Sequence, residues 1–187
     1  MNEADACTPV QRAARGFETG VALISRAALG IAGATCLATL TTVCYAVAAR
    51  YFFNRPQAWS DEAVGWMIVI SVMLAIPEAQ RRGEHIGVDA LTERLSARGK
   101  RWAAALGIVS VAVVAYLFVS EGIEMVAFTR MIGIVSNVLP DIPLWAIQSF
   151  VPVGGALLLM VTVAQLVCLM AGIEPRIVHR AAPDALE

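Results

Sequence analysis

The chain has 187 residues, of which 58% are hydrophobic and 16% charged, with a formal net charge of −1. Soluble domains run at about 45–50% apolar and about 25% charged residues, so composition excludes an ordinary water-soluble domain and indicates an integral membrane protein. The near-neutral balance names no partner by itself, and no nucleic-acid partner is expected. Cys7, Cys36, Cys44 and Cys168 form no CxxC pair, and His85 and His179 lie far apart. Zinc and redox sites need close, paired thiols, so neither metal nor other cofactor is expected.

Taken in chain order, Val10, Ala14, Phe17, Val21 and Ile24 recur at the spacing of one helical face. They predict an N-terminal amphipathic helix lying in the membrane interface or against a partner, within an arm of residues 1–26. Residues 27–49 then carry no charge over 23 positions. As a helix they extend roughly 34 Å, enough for a hydrocarbon core of about 30 Å. This run is too long for a signal h-region of about 7–15 residues, and it reads as a retained first span. Tyr51 is expected to anchor its far end at the interface.

The second span reads WSDEAVGWMIVISVMLAIPEAQRR from Trp59. Asp61 and Glu62 stand at its entrance, with Trp59 as interfacial anchor, and Arg81 and Arg82 at its exit. Carboxylates near a helix N-terminus and arginines near its C-terminus are both favoured by the helix dipole. Pro77 predicts a kink or an end to this helix. In the polar stretch that follows, Val88, Leu91 and Leu95 repeat at helical spacing, which predicts a horizontal helix on the cytoplasmic leaflet.

Residues 103–120 form a third charge-free run, with Trp102 as its anchor. Glu121, Glu124 and Arg130 follow where that span should leave the bilayer, so an interfacial helix end is expected there. Residues 125–144, with Gly133, Pro140 and Pro143, read as an outer connection. The fourth span runs from Trp145, another interfacial anchor, to about Met170, with Pro152 and Gly154–Gly155 as an expected bend. Residues 27–170 thus make a four-span membrane domain, and residues 171–187 a polar tail.

Four spans put both termini and the middle loop on one side. Eleven of the fourteen basic residues fall there, and only Arg50, Arg55 and Arg130 fall on the other. The positive-inside rule therefore places both termini in the cytoplasm. The fold class is all-α: four transmembrane helices with an amphipathic N-terminal helix and a cytoplasmic horizontal helix.

No phosphate-binding loop, HExxH or GxSxG occurs, so no enzyme is expected. Nor do two matching halves with broken helices appear, as a self-sufficient transporter would usually show. Arg81, His85 and Asp89 are spaced by four and would share a face if the helix continued past Pro77. They read either as a polar cluster docking a partner or as a solvated loop.

WSDE at Trp59–Glu62, RRGEHIGVD at Arg81–Asp89 and IPLWAIQSFVPVGGALL at Ile142–Leu158 together resemble the small membrane subunit (DctQ type) of tripartite ATP-independent periplasmic, or TRAP, transporters. The resemblance implies a scaffold role in the bacterial inner membrane, beside a large membrane subunit that carries substrate and sodium. It also implies a periplasmic binding protein that delivers an organic acid such as a dicarboxylate or sugar acid. By the same resemblance, Trp59, Asp61 and Glu62 would hold the outer end of the second span against headgroups or partner groups. Arg81, His85 and Asp89 would set the turn into the horizontal helix. Two other readings stay open on the residues alone: a self-sufficient homodimeric small exporter, and a membrane anchor for an oxidoreductase.

Overall fold

The computed structural model of the chain describes residues 9–82, 97–136 and 142–170. They form five helices: α1 (Pro9–Phe52), α2 (Ala58–Arg82), α3 (Ala97–Ile132), α4 (Leu144–Gln148) and α5 (Phe150–Met170). Four stretches are long and apolar enough to cross a membrane, the last formed by α4 and α5 together. The chain is a multi-pass, all-helical membrane protein, as its composition demands. The horizontal helix expected near Val88–Leu95 lies outside the described residues.

Contacts between helix ends establish an up-and-down bundle. Ser71 on α2 donates to the Ala32 carbonyl of α1 at 3.1 Å, and the Tyr45 and Trp59 rings meet at 6.3 Å. These two contacts run in opposite chain directions, so α1 and α2 are antiparallel. Gln80 on α2 bonds Gln165 on α5, and Ser136, just past α3, bonds Glu62 at the start of α2. The bundle therefore has an arginine end (Glu18, Glu78–Arg82, Gln165) and a tryptophan end (Arg50, Trp59–Glu62, Arg130, Trp145).

Three stretches differ from the sequence expectation. First, α1 runs without a break from Pro9 to Phe52, so the N-terminal face and the first span share one helix. Gly16 and Gly20 each weaken a helix by about 1 kcal/mol, but packing offsets this. Val21, Ser25, Ala28 and Ala32, spaced by four, three and four, are buried, with Val21 against Val161 and Ala164 and Ala28 and Ala32 against Leu74. Phe17 and Ile24 of the expected amphipathic face stay about half exposed.

Second, α3 continues twelve residues past Ser120, so the outer connection begins at Gly133 rather than at Met125. Between Glu121 and Ile132 the one weak helix former is Gly122, and no proline interrupts. Gly133 then takes the left-handed conformation (φ 71). Its N–H and that of Ile134 both donate to the Thr129 carbonyl, a glycine C-cap that ends the helix.

Third, the proline effects fall in unexpected places. α2 passes through Pro77 to Arg82, whereas the fourth span breaks at Ser149, ahead of Pro152. Pro152 has no N–H for the Gln148 carbonyl, and its ring crowds that carbonyl. The chain therefore turns at Ser149, whose N–H and Oγ both donate to the Trp145 carbonyl, at 3.0 and 2.7 Å.

α5 is the common neighbour of α1, α2, α3 and α4. Its two adjacent glycines point about 100° apart and admit two different helices. A methyl group on Gly154 would stand 2.6 Å from the Met73 carbonyl oxygen of α2; one on Gly155 would stand 2.8 Å from Cβ of Phe118 of α3. Pro77 leaves the Met73 carbonyl without its usual donor four residues on, and Gly154 packs beside that carbonyl. Small residues at such contacts let membrane helices approach closely, where dispersion rather than the hydrophobic effect holds them.

Candidate functional site

The arginine end holds the densest polar cluster among the described residues. Glu78 is 1% exposed and takes a two-pronged contact from Arg81, whose Nε donates at 2.7 Å and Nη2 at 2.6 Å. Arg82 Nε adds a third bond at 2.9 Å. One buried carboxylate thus neutralises half of a double positive charge and orients both guanidinium groups. Glu18 of α1, beside Arg81 across a small void, supplies the second negative charge.

One turn away, Gln80 Nε2 donates to Gln165 Oε1 at 3.0 Å, and Gln165 Nε2 donates back to the Gln80 carbonyl at 3.1 Å. This reciprocal pair satisfies two buried amides and sets the register of α2 on α5. The void between α1, α2 and α5 is lined by Glu18, Val21, Arg81, Val161, Gln165 and Cys168 and measures about 20 Å³. That is room for about one water.

The tryptophan end is looser. Trp59 Nε1 donates to Gln57 Oε1 at 3.0 Å, while its ring tilts toward Tyr45. Glu62 accepts from Ser136 Oγ at 2.8 Å, which ties the start of α2 to the segment after α3. Asp61 is exposed and lines an open groove of about 300 Å³ with Arg50 and Tyr51. The Arg130 guanidinium lies 5.4 Å from the Trp145 ring centroid, and a second open groove of about 570 Å³ runs beside it, along Ile123, Val126 and Pro152.

Trp59, Asp61 and Glu62 therefore do not form one cluster; they engage Tyr45, the groove and Ser136 respectively. Arg81 enters the buried knot, while His85 and Asp89 lie outside the described residues. Tyr51 and Trp102 are exposed, whereas Trp145 is partly covered by Arg130. Sequence reasoning missed Glu78, Gln80, Gln165, Glu18 and Ser136. Gln165 carried a signal, as the lone amide within VTVAQLVCLM, because a polar group in an apolar span needs a partner helix.

Comparison with known families decides what such a bundle is. A family model described as "Tripartite ATP-independent periplasmic transporters, DctQ component" matches residues 39–172. The chain belongs to the DctQ family. It is a small membrane subunit of a TRAP transporter, and DctQ subunits are not enzymes. The match begins inside α1 and covers α2, α3 and α5, so it takes in the Glu78 knot and the Gly154–Gly155 contacts. No curated protein and no solved structure matches the chain.

Proposed function

We propose that this DctQ-family chain is the static scaffold subunit of an importer that takes up an organic acid, such as a dicarboxylate or a sugar acid, driven by a sodium gradient. It works beside a large membrane subunit and a periplasmic binding protein in the bacterial inner membrane, with both termini cytoplasmic. The cargo class, the sodium gradient and the two partners are carried over from the family. The observation that carries the scaffold role is the interior of the bundle. The void between α1, α2 and α5 holds about one water, and α5 is closed on α2 and α3 at its two glycines. Among the described residues a cargo of organic-acid size finds no room between these helices, and the larger grooves open outward. The cytoplasmic assignment of the arginine end rests on the distribution of Arg and Lys.

Trp59, Asp61 and Glu62 hold the outer rim against headgroups or partner groups, while Arg81, His85 and Asp89 set the turn into a cytoplasmic horizontal helix. Reconstitution in sealed vesicles tests the reading. Sodium-driven uptake should need this chain, the large subunit and the binding protein together. Substrate-specific uptake by this chain alone would overturn it.

A further inference from the structure

The close helix contacts fix which residues share a depth, and they place two carboxylates where a membrane surface should have none. Gly154 touches α2 at Met73, Gly155 touches α3 at Ala115 and Phe118, and Gly122 of α3 meets Pro152. Glu121, adjacent to Gly122, therefore sits near the level of Met73, in the middle of the apolar stretch of α2. A second register agrees. Ser136 bonds Glu62; Glu121 lies eleven residues before the end of α3, as Met73 lies eleven residues after Glu62. At 1.5 Å per residue both routes put Glu121 about 16 Å below the Glu62–Ser136 level. Glu124 follows about 4–5 Å nearer that level.

Glu121 and the Glu78 knot are separated along the bundle by only roughly 10 Å. With Glu62 at the outer rim, as proposed above, a hydrocarbon layer of about 30 Å reaches to about the level of Arg82 on α2, covers both, and has Glu121 near its middle. Yet the two sites differ in kind: Glu78 is buried and paired, whereas Glu121 and Glu124 are exposed, with no hydrogen bond or ion pair among the described residues.

Leu117, Glu121, Glu124 and Phe128, spaced by four, three and four, form one exposed stripe. Ile108, Ala115, Gly122 and Thr129, spaced by seven, form the buried line of α3. Ionisable side chains at membrane depth face protein or water-filled cavities and pair there. We propose that the Leu117–Glu121–Glu124–Phe128 stripe of α3 docks a transmembrane helix of the large subunit that presents an arginine or lysine to the two carboxylates. Leu117 and Phe128 then pack on the apolar flanks of that cation. The inference rests on the subunit reading above and adds the surface and the chemistry of its partner.

The test is co-expression with the large membrane subunit, purification through a tag on this chain, and photo-crosslinking from p-benzoylphenylalanine at position 117 or 128. Crosslinks to the large subunit are expected. The double variant Glu121→Lys, Glu124→Lys should lower co-purified large subunit at least tenfold, and Glu121→Gln, Glu124→Gln by less. Elution of each variant subunit alone should match the unmodified chain, because both side chains are exposed. Crosslinks only to lipid or to a second copy, or a complex that survives the lysine variant, would overturn this face alone. Failure of the unmodified chain to co-purify with any large subunit would overturn the subunit reading and this face with it.

Discussion

The two ends of the bundle use the same residue types in opposite ways. At the arginine end, Glu78 is enclosed and bonded to Arg81 and Arg82, and Gln80 and Gln165 exchange two hydrogen bonds. At the tryptophan end, Glu62 has one hydroxyl partner, Asp61 faces an open groove, and Arg130 rests on an aromatic face. One end is closed by its own chain. The other offers its polar groups outward, so the difference teaches where this subunit is self-sufficient and where it needs a neighbour.

Breaking the closed end should have the largest effect. Glu78→Ala leaves two guanidinium groups without their carboxylate. Loss of one partner from a buried pair costs about 3–5 kcal/mol, and the lower part of that range applies because Arg82 is 46% exposed. Thermal unfolding of the purified subunit in detergent measures it. An unchanged midpoint would show that this knot does not hold the end together.

Next comes the seam that joins the two ends. Gly154→Ala puts a methyl group 2.6 Å from the Met73 carbonyl oxygen, which backbone movement must relieve; overpacking of this kind costs about 1–3 kcal/mol. Gly65→Ala, where nothing lies within 4 Å of the added carbon, should leave the midpoint unchanged or raise it slightly. Equal behaviour of the two variants would contradict the close approach of α2 and α5.

A smaller effect is expected from the amide pair. A double-mutant cycle of Gln80→Leu and Gln165→Leu should return a coupling of about 0.6 kcal/mol, and not above about 2 kcal/mol, the span seen for polar contacts between membrane helices. Zero coupling would mean that each amide finds another partner. Smallest of all is Trp145→Leu at the open end. It removes the face under Arg130 for about 0.5–1 kcal/mol, and should alter unfolding less than any change at the closed end. A larger loss there would reverse the contrast between the ends.

Much of this architecture was legible in the chain. The four apolar runs, the acid-to-base polarity of α2 and the likeness carried by WSDE and IPLWAIQSFVPVGGALL all pointed to a DctQ-type membrane subunit. The glycine pair was read as a bend, and Pro77 as a kink or an end; packed together, they form a helix contact. Glu121 and Glu124 were read as the end of a span, because charge-free length was the measure used; the helix itself runs on to Ile132. Nothing local distinguishes a glutamate at the end of a span from one halfway along a longer helix.

What the sequence determined by itself is what depends on each segment alone. Transfer of an apolar run into lipid is a property of that run, and the bias of arginine and lysine is a sum over loops. Composition and order therefore sufficed for the number of crossings, and the family motifs for the class of subunit. Only the tertiary structure decided the register: Gly154 against the Met73 carbonyl, Gln80 with Gln165, Glu121 level with the middle of α2. Those contacts join residues tens of positions apart through steric fit and hydrogen bonds a few ångströms long, and such pairings exist only once the helices have packed.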